Sequence, residues 1–256
     1  MLDRSFVSDS PEIITPEMSL SKSEKELSAQ FPMKTFILIF SKLLYQELLE
    51  RKWTEVLHPK LQIGAASYKN PICRVIGTEI GLALCGVGAP TAAAVVEELR
   101  VLFPAEHFIV FGSCGVLQEV KEGCFIVPEE AFRDEGTSFH YAPPSDWIKL
   151  SSAKTIQNLL DEMDVEWIGG KTWTTDAFYR ETEEEADRHR NEGCICVDME
   201  ASALQAVCDF RRLQMYLFLY SADSLQGGWQ RRILGSLETD SRILSFQLAR
   251  KIAEKL

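Results

Sequence analysis

The sequence predicts an α/β fold, a mostly parallel sheet covered by helices on both faces. Three observations carry this expectation. Apolar runs without alternation recur at 35–40, 80–85, 108–111 and 215–220, the mark of strands buried on both sides. Stretches with helical spacing lie between them, such as Leu43, Leu44, Leu48 and Leu49. Glycine, proline and small polar residues punctuate the junctions. A chain of 256 residues permits one large domain or two small ones. Strand and helix patterns alternate with no low-complexity linker and no internal repeat. One domain over 32–256 is therefore expected, after an N-terminal extension over 1–31 that is polar and lacks clear periodicity.

The extension has helical character around 21–29. The run 35–40 is the first buried strand, and Ser41 precedes the first helix of the domain. Short strand candidates follow at 74–76 and 80–85. Gly86, Val87 and Gly88 break the second, and Pro90 suits the first turn of a helix reaching about 103. The strand 108–111 ends in Gly112-Ser113-Cys114-Gly115. After 124–128 a long polar loop is expected, holding Arg133 and the stretch 136–141. A helix is expected over roughly 146–163, and 171–180 reads as a strand entering a loop. The apolar run ending at Asp198-Met199-Glu200 opens a helix through Leu204, Val207 and Cys208. The strand 215–220 ends at Ser221-Ala222-Asp223, and an amphipathic helix spans about 239–253.

The net charge is -11, which repels nucleic-acid backbones and disfavours a polynucleotide substrate. A small anion remains possible through a local cluster of donors. The seven cysteines include no CxxC pair, and most sit in apolar runs where a thiol acts as a small hydrophobe. The four histidines, His58, His107, His140 and His189, are scattered, so no metal site is expected. A reducing compartment follows. The N-terminus has no apolar signal core, and no run is long enough to span a bilayer, so a cytoplasmic protein without membrane contact is expected.

The special residues share an address. Ser41, Gly86 and Gly88, Gly112 and Ser113, Phe178, Glu200 and Asp223 each follow an apolar strand. In a mostly parallel sheet such ends converge on one edge, where ligand clefts open. Each also has a plain structural reading: turn glycines, a core aromatic, a helix cap, a charged helix start favoured by the dipole. The dipole accounts for one carboxylate, not for Asp198 and Glu200 flanking Met199. A carboxylate at a strand end can accept two hydrogen bonds from a diol, and a methionine can lie against an apolar sugar face. Gly86-Val87-Gly88 lacks the third glycine of the dinucleotide fingerprint. Gly112-Ser113-Cys114-Gly115 lacks the G-x-S-x-G spacing of a nucleophile elbow, and no acid–histidine arrangement is legible for His140.

Four segments, Phe111-Gly112-Ser113-Cys114-Gly115-Val116-Leu117, Thr175-Asp176-Ala177-Phe178-Tyr179, Val197-Asp198-Met199-Glu200-Ala201 and Ser221-Ala222-Asp223, resemble in order and approximate spacing those of the nucleoside phosphorylase family. That family includes uridine phosphorylase and the hexameric bacterial purine nucleoside phosphorylases. The resemblance covers about 34–256. It implies a three-layer α/β/α sandwich with a mixed, partly barrel-like sheet. It also implies a homo-oligomer, a dimer or trimer of dimers, and no cofactor, with phosphate as co-substrate.

The resemblance also implies residue roles. Ser113, beside Gly112, would bind phosphate, with Ser41 and Lys42 standing where the family has a Gly-Asp-x-x-Arg loop. Met199 and Glu200, with Asp198, would hold the ribose. Phe178 would meet the base, and His140 lies in a Gly-Thr-Ser-Phe-His segment resembling the uridine branch. Asp223 matches the purine-branch acid that protonates the base at N7, which requires a raised pKa and partial desolvation. Val110 stands where the family usually has an arginine, so Lys42, Ser41 or Arg133 would have to substitute, or a basic residue of a neighbouring subunit such as Lys69 or Arg74.

The expected function is therefore reversible phosphorolysis of a nucleoside, purine-leaning, to free base and ribose 1-phosphate. The alternatives are a nucleosidase using water, a uridine-specific phosphorylase and a non-catalytic nucleoside sensor. The missing arginines favour water as nucleophile. Retention of both Glu200 and Asp223 argues against a sensor.

Overall fold

The computed structural model describes residues 6–7, 10–64, 69–230 and 237–256. The N-terminal segment carries two short helices, α1 (Pro16–Ser19) and α2 (Lys22–Ser28). Ser21 and Glu24 close α2 reciprocally: the Glu24 N–H donates to the Ser21 hydroxyl at 3.2 Å, and the Ser21 N–H donates to the Glu24 carboxylate at 2.8 Å. This segment docks on the domain. Leu20 is buried in the main core, and Glu17 and Glu12 pair with Arg100 and Arg211.

The domain then runs β1 (Thr35–Ile39), α3 (Lys42–Glu50), β2 (Thr54–Val56), β3 (Gln62–Ile63), β4 (Asn70–Pro71), β5 (Cys73–Val75), β6 (Ile80–Leu84), α4 (Ala89–Leu102) and β7 (His107–Val116). It continues through β8 (Phe125–Asp134), β9 (Trp147–Lys149), α5 (Ala153–Glu162), β10 (Trp167–Thr175) and α6 (Glu183–Asn191). The last elements are β11 (Cys194–Asp198), α7 (Ala201–Arg211), β12 (Gln214–Ser224) and α8 (Leu237–Ala253).

Among the described residues ten strands form one sheet, in the order β11-β10-β8-β12-β7-β1-β6-β5-β2, with β9 on β8. The pairs β1–β6, β1–β7, β7–β12, β8–β10 and β10–β11 are parallel, while β8–β12 and β5–β6 are antiparallel. β11 also returns to β7, antiparallel, through Cys196 opposite Val116 and Val197 opposite Gly115. That pairing closes β7, β12, β8, β10 and β11 into a ring, so the sheet is mixed and partly barrel-like. Gly115 permits the closure. A Cβ there would lie 2.6 Å from Leu225 and 3.1 Å from Val197, so a side chain would force the strands apart.

Helices cover both faces. Phe36, Leu38, Phe108 and Val110 pack on one side with Ala92, Val96 and Leu99 of α4 and Leu204 and Val207 of α7. Ile37, Ile39, Ile109, Phe111 and Phe218 pack on the other with Leu44 and Leu48 of α3, Ile156 of α5 and Phe246 of α8. The alternation of β1 and β7 residues between two apolar clusters is why their sequences show no polar face.

Several expected boundaries shift. Gly112-Ser113-Cys114-Gly115 is strand and not turn, because β7 stays paired with β12 to its end. Ser221-Ala222-Asp223 likewise lies within β12. The polar stretch after Pro128 is largely β8, whose exposed positions alternate with buried ones. The helix expected from 146 starts at Ala153, since Trp147 and Ile148 pair with Phe132 and Ala131 as β9. α6 has almost no apolar face and escapes periodicity. Its capping box, Thr182 with Glu185, is the available signal, as are acids in its first turn and bases in its last.

Candidate active site

A cavity of about 690 Å³ opens at the C-terminal ends of the parallel strands. Phe40 closes it after β1, Val87 after β6, Gly112 to Gly115 at the end of β7, Phe178 and Tyr179 after β10, Met199 and Glu200 after β11, and Ala222 and Asp223 at the end of β12. The volume suits a ligand of nucleoside size. Glu200 and Asp223, separate in sequence, share this one chamber with Met199, Phe178, Gly112 and Ser113.

Asp198 holds Glu200 in place. Its Oδ2 accepts the N–H groups of Glu200 at 2.8 Å and Ala201 at 2.6 Å, at the start of α7. Its Oδ1 accepts the hydroxyls of Thr172 at 2.9 Å and Thr174 at 2.8 Å, both on β10. Four donors from the protein itself therefore occupy a side chain expected to meet the ligand. Burial pushes its carboxyl up against the pull of these donors.

The Glu200 side chain turns into the cavity, where its Oε1 accepts the Gly88 N–H at 2.6 Å. Gly88 has φ +103°, a backbone conformation that favours glycine, and it begins α4. Burial first, then the neighbouring Asp198 carboxylate, pushes Glu200 up to about 8. The resulting group is a rigid carboxyl with acceptor capacity left over, half-buried beside Met199.

Asp223 lines the same cavity, half-buried, its Oδ2 accepting the Trp229 indole N–H at 3.3 Å. The Phe178 ring is 49 % exposed, so it is no core aromatic, and it packs on Tyr179 at 4.1 Å between centroids. Glu181 lines the same wall, and burial with the Glu185 carboxylate nearby pushes it up to about 7. In sequence its place in the acidic run up to Glu185 gives it the look of a solvated charge cluster, so nothing there marks it as a cavity residue.

The anion end departs from expectation. Ser113 and Val110 both line the cavity. Ser41 instead caps α3, its hydroxyl accepting the Leu44 N–H at 3.2 Å, and Lys42 is exposed on that helix; neither lines the cavity. Arg133 is buried, donating to Ser138, Pro143 and Ser145 over the face of Phe139, and cannot reach a ligand. Arg74 pairs with Glu55 at 2.5 Å, and Lys69 lies 4.0 Å from Glu24. A different basic residue reaches this edge. Burial raises the Tyr220 phenol, while the Arg242 guanidinium of α8 and the Ser113 hydroxyl draw it back. Tyr220 and Ser113 are register partners on β12 and β7.

His140 lies elsewhere. It is the exposed last residue of a single 3-10 turn (Thr137–His140) and lines a second cavity, between the N-terminal segment, α4 and Phe210. Among the described residues no three His, Cys, Asp or Glu side chains cluster to hold a metal ion, and no helix is long and apolar enough to cross a membrane.

A model of the phosphorylase superfamily matches residues 45–254. Guanosine phosphorylase of Halorubrum lacusprofundi is 31% identical over 137 residues, 51% of this chain and 55% of its own length. A DeoD-type purine nucleoside phosphorylase of Aliivibrio fischeri is 30% identical over 132 residues, 50% of this chain and 55% of its own. The chain thus spans about half the length of the curated relatives it matches. A solved uridine phosphorylase from Vibrio fischeri ES114 has a TM-score of 0.70 at 25% identity, covering 90% of this chain and 95% of that one. The 5'-methylthioadenosine/S-adenosyl homocysteine nucleosidase of Campylobacter jejuni has the same fold, with a TM-score of 0.70 at 18% identity over 88% of this chain and 100% of that one.

Proposed function

The chain belongs to the phosphorylase superfamily, and from that premise we propose that it is a nucleoside phosphorylase. It cleaves a purine ribonucleoside, reversibly, to free base and ribose 1-phosphate. The observation that carries this reading is the cavity shared by Glu200 and Asp223.

Cleavage of the glycosidic bond passes through an oxocarbenium-like state. Positive charge grows on the sugar and negative charge on the departing base. Glu200 accepts hydrogen bonds from the ribose 2′ and 3′ hydroxyls while Met199 packs against the sugar face. Phosphate beneath C1′ stabilises the cationic carbon and becomes its new partner. Ser113 donates to that phosphate, and the Arg242–Tyr220 pair behind Ser113 supplies positive potential there. Phe178 packs on the base, and Asp223 delivers a proton or a strong hydrogen bond to its imidazole ring. Fixing both reactants in one chamber supplies much of the remaining acceleration.

The purine preference rests on Asp223, and it agrees with two relatives, a guanosine phosphorylase and a purine nucleoside phosphorylase. All seven cysteines are free, which fits a cytoplasmic protein. The exposed apolar residues Val87, Phe178, Tyr179 and Trp229 at the cavity mouth fit a homo-oligomer in which a neighbouring subunit covers them.

One observation favours a second reading, a nucleosidase. Val110 lines the chamber where the family usually has an arginine, and Arg133 is engaged elsewhere. Incubating the protein with inosine, guanosine, adenosine and uridine, each with and without phosphate, separates the two. Phosphorolysis requires base release to stop in phosphate-free buffer and ribose 1-phosphate to accumulate with phosphate. Equal release in both buffers, yielding free ribose, overturns it.

A further inference from the structure

We propose that the N-terminal segment is a positioning element of the active site. Through Glu12 and Glu17 it locks α4 to α7, and with them the contact between Gly88 and Glu200. The inference rests on the reading of Glu200 as the ribose carboxylate.

The superfamily match begins at residue 45, so this segment lies ahead of it. It is nonetheless tied to the domain at one seam. Arg100 on α4 and Arg211, the last residue of α7, both donate to Glu97 of α4, at 2.5 and 2.8 Å. Glu97 is buried, and each guanidinium takes one of its oxygens. Each arginine has a second acid, and both acids come from the segment. Arg211 donates to Glu12 at 2.5 Å, and Arg100 donates to Glu17 at 3.1 Å. Phe6 adds an edge contact to Phe210, 6.4 Å between centroids. Without Glu12 and Glu17, two largely buried guanidinium groups would face a single carboxylate and repel each other across the seam.

The seam leads to the site. α4 begins after Gly88 and α7 begins after Glu200, and the Gly88 N–H meets Glu200 Oε1 at 2.6 Å. The ribose carboxylate is therefore held by the first turns of the same two helices that the segment ties further along. Glu97 lies about 14 Å along α4 from its start, and Arg211 about 17 Å along α7. Between these points the two helices share an apolar cluster, with Val96 and Leu99 on α4 and Leu204 and Val207 on α7. Apolar attraction is non-directional and permits sliding, whereas paired charges fix one register. Glu12 and Glu17 complete that charge pairing, so releasing them lets α4 shift against α7 and draws Gly88 away from Glu200.

The test uses the full chain. Glu12→Arg/Glu17→Arg sets cations against Arg211 and Arg100. Glu12→Gln/Glu17→Gln removes the charges more gently and serves if the reversal prevents folding. Glu26→Arg is the control: Glu26 lies on the same segment but pairs only with Lys22, at the exposed surface. Two readouts are taken below the melting range, KM and kcat for guanosine at saturating phosphate, and amide hydrogen exchange at Gly88. The reversal should raise KM roughly tenfold and speed Gly88 exchange by a similar factor. It should change kcat by less than about threefold, and the glutamine pair should fall between it and wild type. Glu26→Arg should match wild type in both readouts. Gly88 exchange and KM that stay within about threefold of wild type in both double variants overturn the proposal, as does a fall in kcat with KM unchanged. If the wild type turns over no nucleoside, the phosphorylase reading fails on its own, and Gly88 exchange still decides whether the segment holds the helix pair.

Discussion

Asp198 Oδ2 accepts the backbone N–H of Glu200 at 2.8 Å, so the inner carboxylate fixes the backbone from which the outer one enters the cavity. Two acids two residues apart thus divide the labour. Asp198 ties β10, β11 and the start of α7 into one junction, and Glu200 keeps capacity for a ligand. Burial first, and the nearby Asp198 carboxylate second, make Glu200 resist ionisation.

This division makes Asp198→Asn a sharper test than its size suggests. All four groups around Asp198 donate, and an amide nitrogen cannot accept from any of them. The substitution should cost about 2–3 kcal/mol of stability, measured from urea midpoints. It should also raise KM for a nucleoside, because the Glu200 backbone is released. Wild-type stability with unchanged KM would remove Asp198 from this role.

Glu200 predicts a pH dependence of definite sign. Its folded pKa, about 8, lies above the ordinary 4.5. The folded state therefore keeps a proton that the unfolded chain releases between those values. Stability from that proton is fully present below about 4.5 and is lost as pH rises through about 8. Glu200→Gln removes the penalty and keeps an acceptor for Gly88, so it should stabilise the protein by about 3 kcal/mol at pH 9 and hardly at all at pH 4.5. In catalysis kcat/KM should rise with pH as the diol-accepting carboxylate forms. Glu200→Ala should lower it on the order of 100-fold. Thermal melts and a pH–rate profile measure both halves.

Why Glu200 is legible in the sequence and the clamp around it is not is a matter of range. β1, β6, β7 and β12 are buried on both faces, so their apolar runs announce them, and parallel strand ends collect Ser113, Phe178, Glu200 and Asp223 on one edge. The clamp depends on Thr172 and Thr174, each more than twenty residues from Asp198, and no local pattern encodes that pairing. Barrel closure through Gly115 and Val197 is equally non-local, so the polar end of β7 resembles a turn. α6 hides because Ala186 is its single apolar residue, and Glu181 hides beside it. Arg242 is invisible in sequence as a neighbour of the Ser113 edge, because helix-to-sheet packing brings it there.

The fold itself offers a test away from the cavity. Gly81 on β6 is the register partner of Phe36 on β1, near the strand ends opposite the site. A Cβ at Gly81 would lie 2.2 Å from the Phe36 ring. That ring is fully buried, 5.0 Å from Phe103 and 6.4 Å from Phe108 between centroids, and has no room to withdraw. Gly81→Ala should destabilise by about 2–3 kcal/mol. Phe36→Leu added to it should recover part of that stability, and kcat below the melting range should not change. A urea series on the single and double variants checks this.

The leaving-group role proposed for Asp223 is isolated by the isosteric Asp223→Asn. The amide oxygen can still accept from the Trp229 indole, which meets Asp223 at 3.3 Å, so the wall of the cavity keeps its shape. What disappears is the capacity to pass a proton to the base. Base departure then proceeds without proton transfer, and kcat for a purine nucleoside should fall by roughly 100- to 1,000-fold. KM should change by less than about threefold, because the proton is delivered chiefly in the transition state and adds little to ground-state binding. Purines should suffer most, since only they present N7 to the acid. A nucleoside with an activated leaving group, such as 7-methylguanosine, departs without protonation and should be slowed far less in the same variant. If kcat for inosine and guanosine matches wild type, Asp223 does not assist the leaving base and its place in the cavity has another cause.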